Sequence, residues 1–453
     1  MNRQSLSPLM AELSAYIAQA PRKALPAAVA EKTKHHVLDT LAAMVSGSRL
    51  LPGRKAISYV KSLGGAKEAC VVGSRIVTNA VNAALANGMC AHADETDDSH
   101  AASLTHPGCG VVPAALAMAE RERRGGAALL RAVALGYDVG CRLTLSLDPY
   151  RFREAGHSTH SFGPTFGAAA AAAALAGLKA PQVRHALSYA AQQASGISCW
   201  MRDPEHIEKA FDFGGMPARN GVTAAAMAAH GLSGVEDVFS GERSFFVAYP
   251  GEAQTLVRGL GETFEILHAS IKRWSVGSPI QAPLDSLVEL MKENGFAAGD
   301  VKSVVVRVAH QGANTVDNRE MPDICMQHMC AVMLLDGTVS FRSSHDEKRM
   351  RDRRVVAVRE KVQLLGDDAM SAVMPSRQGI VELELADGRR LRHHTRAVRG
   401  TPDNPMTRAE VDAKSCDLLA PAIGRGRARK LCDAVWNLDG IDDVRSLRPL
   451  LRV

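Results

Sequence analysis

Residues 163–178, GPTFGAAAAAAALAGL, do most to decide the fold class of this chain. Alanine is the strongest helix former, and its methyl side chain lets neighbouring helices pack closely. Pro164 stands at the start, where the missing N–H of proline costs little. The stretch therefore predicts a helix. The stretch carries no charged residue but is too short to span a bilayer, so we expect no membrane contact.

Helical patterns continue on both sides of this stretch. Apolar residues recur at helical spacing through most of the first 260 positions, and strand signals are nearly absent there. The other predicted helices cover residues 6–20, 31–47, 78–93, 106–122, 127–145, 181–194 and 217–230.

The pattern changes after about residue 264. Residues 301–309, VKSVVVRVA, predict a strand, and residues 380–385 and 390–398 predict a hairpin around Ala386-Asp387-Gly388. Between them, residues 323–335 and 352–358 favour short helices, which makes this part an α+β module. From residue 407 the pattern is helical again, over 408–418, 424–437 and 442–450. We expect these last helices to pack back on the first domain, because their apolar faces need a partner.

Composition excludes several classes of protein. The 453 residues are 46% hydrophobic and 23% charged, which is typical of a globular protein and not of a disordered one. Aromatic residues make up 4%, and the net charge of +6 is not concentrated in a tract, so we expect no nucleic-acid partner. The nine cysteines include no C-x-x-C pair, and no secretory signal is visible at the N-terminus. We therefore expect reduced thiols, no metal site and a cytoplasmic location.

The densest polar cluster is HADETDDSH at residues 92–100, followed by Thr105-His106-Pro107. Such a cluster could bind a divalent cation or supply a proton-transfer group. It could also be a solvated acidic loop with helix-capping residues. The strongly apolar sequence on both sides favours a functional loop, and the missing ligand spacing disfavours the metal.

Three further segments could contribute to a site. Gly156-His157 leads through a second histidine, His160, into the alanine-rich helix, and a helix N-terminus suits a carboxylate. Lys209 precedes a Gly-Gly turn, and Lys272-Arg273 stands in an apolar segment at the change of domain. A single lysine is usually only solvated, but together these segments would form a cationic pocket between domains for a small polyanion.

Taken in order, the four segments resemble the MmgE/PrpD family, which includes 2-methylcitrate dehydratase, cis-aconitate decarboxylase and iminodisuccinate epimerase. The residues that carry the resemblance are VLDTLAAMVSG at 37–47, His92 to Asp98, Thr105-His106-Pro107, His157 before FGAAA, Lys209, Lys272 and NPMT at 404–407.

The resemblance implies a mostly α fold, in which both chain ends form a large helical domain and a smaller α+β lid is inserted. The expected bounds are 1–264, 265–400 and 401–453. It also implies a homodimer without metal or organic cofactor. The implied catalytic residues are His106, His157, Lys209, Lys272 and Glu95, and we expect Ser99, Asp94, Thr105 and Arg273 to bind substrate.

The function expected from this resemblance is a cofactor-independent lyase that acts on a small di- or tricarboxylic acid. A proton would move at the carbon next to a carboxylate, a step that a histidine can perform and an ammonium can stabilise. Dehydration is slightly favoured. Decarboxylation of a cis-aconitate-type acid and epimerisation of an iminodisuccinate-like acid stay open, as does an inactive helical scaffold or ligand sensor.

Overall fold

The part of the chain before residue 270 is helical. The computed structural model describes residues 6–453. Its first twelve helices are α1 (Pro8–Gln19), α2 (Ala27–Gly47), α3 (Leu51–Leu63), α4 (Ala80–Ala91), α5 (Pro107–Arg121), α6 (Gly126–Ser146), α7 (Pro149–Glu154), α8 (Thr159–Leu175), α9 (Ala180–Gln193), α10 (Ile207–Ala210), α11 (Met216–Ala229) and α12 (Phe245–Ala248). Sequence patterns indicated neither α3 nor the small ribbon that pairs β1 (Ala69–Cys70) with β2 (Val77–Thr78).

Helix α8 is the centre of this helical part, because all of its residues are buried. It packs against α5, α6 and α11. Small residues make this possible: a β-carbon on Gly167 would lie 2.3 Å from the carbonyl oxygen of Gly136 on α6. The alanine- and glycine-rich sequence therefore predicts close helix packing for a physical reason, since larger side chains would separate the two backbones.

The second part of the chain combines a sheet with helices. Its elements are α13 (Ser278–Asn294), β3 (Val301–Ala309), α14 (His310–Val316), α15 (Met326–Asp336), α16 (Phe341–Ser344), α17 (Arg353–Arg359), β4 (Val362–Asp367), α18 (Asp368–Ala372), β5 (Gly379–Leu385) and β6 (Arg390–Thr395). The four strands are ordered β4-β3-β5-β6; β3 and β4 are parallel and the other pairs are antiparallel. Alternate valines of β3 share one apolar core with residues of α13 and α15.

Two helices follow this sheet, α19 (Arg408–Ile423) and α20 (Arg425–Trp436). The helix predicted over 442–450 is wrong, because the structure has only a 3₁₀ turn there, Val444–Leu447. Pro449 explains part of this difference, since proline has no backbone N–H to donate to a helical hydrogen bond. Strand β4 was also not predicted.

The chain divides into two compact units. Unit 1 comprises the chain up to Ala93, Asp97–Ala269 and Val411–Val453, and unit 2 comprises Asp94–Thr96 and Ser270–Glu410. The prediction of a mostly α fold is confirmed. Across residues 6–453, no helix combines the length and the hydrophobicity that crossing a bilayer requires.

Candidate functional site

Asp97 joins two histidines inside unit 1. Helix α4 ends at Ala91, and the chain then enters the loop that carries the acidic cluster. One oxygen of Asp97 lies 2.9 Å from His92 Nδ1, and the other lies 3.0 Å from Nδ1 of His106. Asp97 and His92 are fully buried, and His106 is 9% exposed. The loop is therefore a packed hydrogen-bonded turn and not a solvated acidic segment.

The charge of Asp97 fixes the proton positions on both rings. Burial opposes its ionisation, but the His92 and His106 imidazoles outweigh burial and hold the pKa of Asp97 well below its usual range. An ionised carboxylate only accepts hydrogen bonds, so each Nδ1 must donate. In a neutral His106 imidazole the lone pair is then on Nε2, which is the tautomer of a histidine base oriented by a carboxylate.

Phe213 forms the surface on which the histidines assemble. Its ring stacks on His92 with centroids 4.2 Å apart and on His160 with centroids 3.7 Å apart. The His106 ring meets Phe213 and His160 edge-on, at 5.3 and 5.2 Å. Stacking at these distances places His92 and His160 on opposite faces of one aromatic ring. The imidazoles of three separate chain segments thus share a single rigid platform.

A π-helical turn, Phe211–Gly215, holds Phe213 in place between α10 and α11. The turn touches α4, because a β-carbon on Gly88 would lie 2.3 Å from the carbonyl oxygen of Gly214. Single π turns inside helices are frequent at functional sites. The Gly-Gly sequence after Lys209 is therefore explained by close backbone contact.

Two buried ring nitrogens of this platform are available to a ligand. Among residues 6–453, neither His92 Nε2 nor His160 Nδ1 has a hydrogen-bond partner. Burial, followed by the charges of His106 and Arg153, keeps the pKa of His160 well below its usual range, so His160 is a neutral imidazole. Buried polar atoms are almost always paired in native proteins, so a small polar molecule is expected beside them.

Lys209 brings a positive charge to the same platform. Its ammonium nitrogen lies 5.2 Å from the centroid of the Phe213 ring and 5.5 Å from that of Trp200. Trp200 in turn meets Phe213 at 90°, with centroids 4.7 Å apart. Lys209 is half-buried, and cation–π contacts of this kind orient an ammonium.

Asp98 anchors the loop at its other end. It accepts hydrogen bonds from Tyr137, at 2.5 Å, and from the backbone N–H of Gly108 in the first turn of α5, at 2.9 Å. His36 Nδ1 lies 2.6 Å from the same carboxylate. Burial lowers the pKa of His36 to about 4, so the His36 imidazole is neutral and donates to Asp98. These contacts hold the neighbouring Asp97 and His106 in position.

Asp212 is a further buried carboxyl beside Phe213. The hydroxyl of Ser158 donates to it, and burial raises its pKa to about 7 even though the hydrogen bonds from Ser158 and Ser161 act in the opposite direction. Ser158 is the residue that precedes α8. The N-terminal end of the alanine-rich helix is thus tied to the π turn.

In unit 2, two predicted catalytic residues lie together. The Lys272 ammonium donates to the backbone carbonyl of Glu95 at 2.7 Å and lies 3.5 Å from the Glu95 carboxylate. Both side chains are buried. The predicted binding residue Asp94 instead accepts from Thr96 and lies 2.9 Å from His345 Nε2. Although burial opposes it, the pairing with Asp94 raises the pKa of His345 to about 9.

The remaining predicted residues have other surroundings. His157 stacks on Phe152 with centroids 4.4 Å apart, and it is His160, three residues later, whose ring contacts His106. The Thr105 hydroxyl lies 2.6 Å from that of Ser103. Their roles remain predictions.

Two further predicted binding residues complete the set. Ser99 is half-buried. Arg273 lies over the Trp274 ring at 4.4 Å and pairs with Asp285 at 3.3 Å. These contacts orient the guanidinium of Arg273, and its role in substrate binding also remains a prediction.

Sequence reasoning did not select Asp97, His160 or Phe213. Asp97 and His160 lie in segments that it did single out. Treating every histidine and carboxylate of those segments as a candidate would have included both residues. Phe213 carries no sequence signal, because an isolated phenylalanine is usually only a core residue.

A metal is one possible occupant of the Asp97 cluster. The ligand atoms of His92, Asp97 and His106 all lie within 4.8 Å of one another. Asp97 gives a different oxygen to each imidazole at ordinary hydrogen-bond length, however, which is the geometry of a carboxylate that orients two rings.

Comparison with known proteins finds several relatives. A cis-aconitate decarboxylase-like protein of Aspergillus oryzae is 29% identical over 265 residues, which cover 56% of this chain and 52% of that protein. The human cis-aconitate decarboxylase is 25% identical over 94% of this chain and 90% of its own length. The 2-methylcitrate dehydratase of Escherichia coli is 29% identical over 23% of this chain and 24% of its own.

Family models give the broader relationship. The MmgE/PrpD N-terminal domain matches residues 11–255, and the MmgE/PrpD C-terminal domain matches residues 274–439. The two matches together span most of the chain, including the loop of Asp97, the π turn of Phe213 and the sheet of unit 2. The chain therefore belongs to the MmgE/PrpD family.

Proposed function

We propose that this protein is a lyase that acts on a small tricarboxylic or dicarboxylic acid by proton transfer next to a carboxylate. The observation that carries the proposal is the Asp97-anchored His106, which lies beside two buried imidazole nitrogens without partners. A carboxylate that sets the tautomer of a histidine is the usual arrangement of a general acid or base.

Decarboxylation is the reaction that the comparisons favour. The relatives that match over 94% of this chain are named cis-aconitate decarboxylases, whereas the dehydratase match covers 23%. The hypothesis drawn from the family resemblance slightly favoured dehydration, which stays the second candidate.

Decarboxylation breaks the bond between a carbon and its carboxylate. CO₂ leaves, and the electron pair moves into the conjugated system of a remaining carboxylate. Nε2 of a protonated His106 then donates a proton to the carbon. In dehydration, the same nitrogen, unprotonated at the start, instead removes a proton from the carbon. It then gives that proton to the departing β-hydroxyl, which leaves as water. Both routes build negative charge on a carboxylate, which a nearby ammonium stabilises.

Lys209 and Lys272 are the proposed cations. Lys209 stands beside the aromatic platform, and Lys272 is buried next to Glu95. If each lysine binds a substrate carboxylate, Lys209→Ala and Lys272→Ala should each lose about 2–5 kcal/mol of transition-state stabilisation. The loss is measured as a decrease in kcat/KM. Lys272→Arg rescues poorly, because a planar guanidinium replaces a compact ammonium. An unchanged kcat/KM would remove either lysine from the proposal.

The reaction is tested by incubating the purified protein with cis-aconitate, 2-methylcitrate and iminodisuccinate in D₂O. Release of CO₂ with one deuterium in the product indicates decarboxylation, and new ultraviolet absorbance indicates a conjugated alkene formed by dehydration. Deuterium at Cα without a net change of compound supports the epimerase alternative. If no acid reacts and none raises the melting temperature, the scaffold or ligand-sensor alternative replaces the enzyme.

His106→Ala tests the catalytic residue. We expect kcat to fall by about 10²-fold or more with the fold intact, the usual scale for a general acid or base. His230→Ala is the matched control, because His230 is exposed and its Nδ1 hydrogen-bonds the backbone carbonyl of Ala226. Near-normal turnover of His106→Ala would exclude His106 from the mechanism.

We further propose that the protein is a cytoplasmic homodimer that performs its chemistry without a metal or organic cofactor and binds neither nucleic acid nor membrane. Light scattering of the purified protein should give about twice the 48.3 kDa of one chain. A mass of one chain across the working concentration range would contradict the dimer.

A further inference from the structure

His345 is a histidine of unit 2 that the proposed chemistry does not use. It follows the short helix α16 directly. Its Nε2 lies 2.9 Å from Oδ2 of Asp94, and its Nδ1 lies 2.7 Å from the backbone carbonyl oxygen of Phe341. The Asp94 side chain is almost fully buried, and 18% of the His345 side chain is exposed. Each ring nitrogen of His345 therefore faces an oxygen atom.

These two oxygen atoms require His345 to be an imidazolium. A carbonyl oxygen and an ionised carboxylate only accept hydrogen bonds, so the ring carries a proton on both nitrogens. Burial opposes this charge, but the pairing with Asp94 and the nearby charge of Asp323 outweigh burial and raise the pKa of His345 to about 9. Burial also opposes the ionisation of Asp94, but His345 and Thr96 lower the pKa of that carboxyl. Asp94 and His345 are therefore both charged at neutral pH.

Asp94 closes the turn that contains Glu95. Its Oδ1 accepts from the backbone N–H of Thr96 at 2.9 Å, and its Oδ2 accepts from the Thr96 hydroxyl at 2.8 Å. An aspartate that accepts from the backbone two residues further on fixes the peptide groups between them. The residue between them is Glu95, so its backbone orientation depends on where the Asp94 carboxylate is held.

The backbone carbonyl of Glu95 in this turn is a partner of Lys272. The Lys272 ammonium donates to it at 2.7 Å, and 2% of the Lys272 side chain is exposed. A shift of the turn would therefore move the ammonium that is proposed to bind a substrate carboxylate. His345, the turn of residues 94–96 and Lys272 all belong to unit 2.

We propose that His345 is a positioning residue, which acts through Asp94 and the turn of residues 94–96 to place the Lys272 ammonium for a substrate carboxylate. This inference rests on the proposed function, in which Lys272 binds substrate. His345 also supplies the positive charge that Asp94 needs. Without it the buried carboxylate would take up a proton, and the hydrogen bonds that hold Thr96 would weaken.

NMR and chemical labelling test this network without turnover. At neutral pH, ¹⁵N NMR of the natural chain should show His345 with a proton on both ring nitrogens, and Asp94→Asn should remove this signature. His345→Gln keeps an N–H donor but has no charge. In this variant Lys272 should react with acetic anhydride about tenfold faster, because its ammonium is held less firmly. Peptide mass spectrometry measures the labelling of Lys272.

Ligand titration tests whether His345 acts through Lys272. Tricarballylate is a suitable probe, because this saturated tricarboxylate has neither a hydroxyl group to lose nor a double bond. His345→Gln should weaken its binding about tenfold. The double variant His345→Gln, Lys272→Ala should bind no more weakly than Lys272→Ala alone, whereas independent effects would add.

His310→Gln is the matched control for His345→Gln. His310 Nε2 also lies 2.9 Å from a carboxylate, that of Asp368, but both side chains are exposed, and exposed ion pairs contribute little. This variant should label at Lys272 and bind tricarballylate like the natural chain. Circular dichroism checks that His345→Gln is folded. If it is not, Asp94→Asn breaks the same ion pair and takes its place in both measurements.

Unchanged labelling of Lys272 in the folded variant, or additive losses of tricarballylate affinity, would overturn the proposal. A natural chain that binds no tricarboxylate would contradict the proposed function instead. NMR and labelling would then still decide whether His345 is charged and whether it holds Lys272 in place.

Discussion

At the scale of single residues, Asp97 is the group on which the candidate site depends. It is buried, ionised and shared by His92 and His106. An asparagine at this position would still accept from one imidazole but would donate to the other. One ring would then need the opposite tautomer, with its proton on Nε2.

Asp97→Asn should therefore lower kcat by about 10²-fold or more while the protein stays folded. ¹⁵N NMR of the ring nitrogens should show one histidine in the changed tautomer. If Asp97 had only a structural role, the tautomers would not change. Asp387→Asn, on an exposed turn, is the control. Unchanged tautomers together with normal turnover would contradict the role of Asp97.

Asp212 gives a prediction about stability and pH. Its pKa is about 7 in the folded protein, mainly because of burial, and 3.8 is its ordinary value. Between these values the folded state binds more protons than the unfolded state, so the contribution of Asp212 to stability decreases as pH rises. Well above pH 7 Asp212 is ionised in both the folded and the unfolded state, so its effect on stability no longer changes with pH.

Asp212→Asn removes this loss while keeping an oxygen that can accept from Ser158. The free energy of unfolding of the variant should fall less steeply from pH 4.5 to 7 than that of the natural chain. Urea unfolding at several pH values measures both slopes. Asp403→Asn, at an exposed position, should leave the slope unchanged. Equal slopes for Asp212→Asn and the natural chain would show that Asp212 titrates normally.

At the scale of elements, the contact between α4 and the π turn positions the aromatic platform. Gly88 of α4 and Gly214 of the turn meet through their backbones. Gly88→Ala should destabilise the protein by about 1–3 kcal/mol, because the added methyl group forces the two elements apart. Thermal or urea unfolding measures the effect.

Gly426→Ala is the matched control for this change. Gly426 lies in α20, and a β-carbon there would meet nothing within 4 Å. Alanine has the higher helix propensity, so this variant should be as stable as the natural chain or more stable, by up to about 1 kcal/mol. If the Gly88→Ala protein is as stable as the Gly426→Ala protein, the π turn can shift away from α4 without a loss of stability.

At the scale of the whole molecule, the C-terminal helices return to unit 1 and are held there by a buried ion pair. The Lys414 ammonium on α19 lies 2.6 Å from Asp39 on α2, and both side chains are almost fully buried. Burial raises the pKa of Asp39 to about 6, although Lys414 opposes the shift. The pair connects positions 375 residues apart in the sequence.

Lys414→Met should destabilise the protein by about 3–5 kcal/mol, because Asp39 is left buried without its counter-charge. The double variant Asp39→Asn, Lys414→Met should recover much of that loss. Arg429→Ala is the control, since its pair with Asp412 is exposed and contributes little. A small effect of Lys414→Met, or no recovery in the double variant, would contradict a buried pair.

The sequence by itself determined the mostly helical fold, the strand β3 and the hairpin of β5 and β6, because their signals are local. Helical spacing, alanine content and a D-G turn act within a few residues of the chain. Strand β4 was not predictable in the same way, because its place is set by parallel pairing with β3 across more than 50 positions. The acidic segment was also recognisable, from its density of carboxylates and histidines between apolar helices.

Only the tertiary structure decided how these polar groups are paired. Asp97 and His106 belong to one segment, whereas His160 with Phe213 and His100 with Glu265 come from different segments. No sequence spacing indicated any of these pairings. Burial then sets their charges, since the same carboxyl group has a lowered pKa at Asp97 and a raised one at Asp212. The physical reason is that desolvation and neighbouring charge act through space, whereas a sequence pattern reports only what acts along the chain.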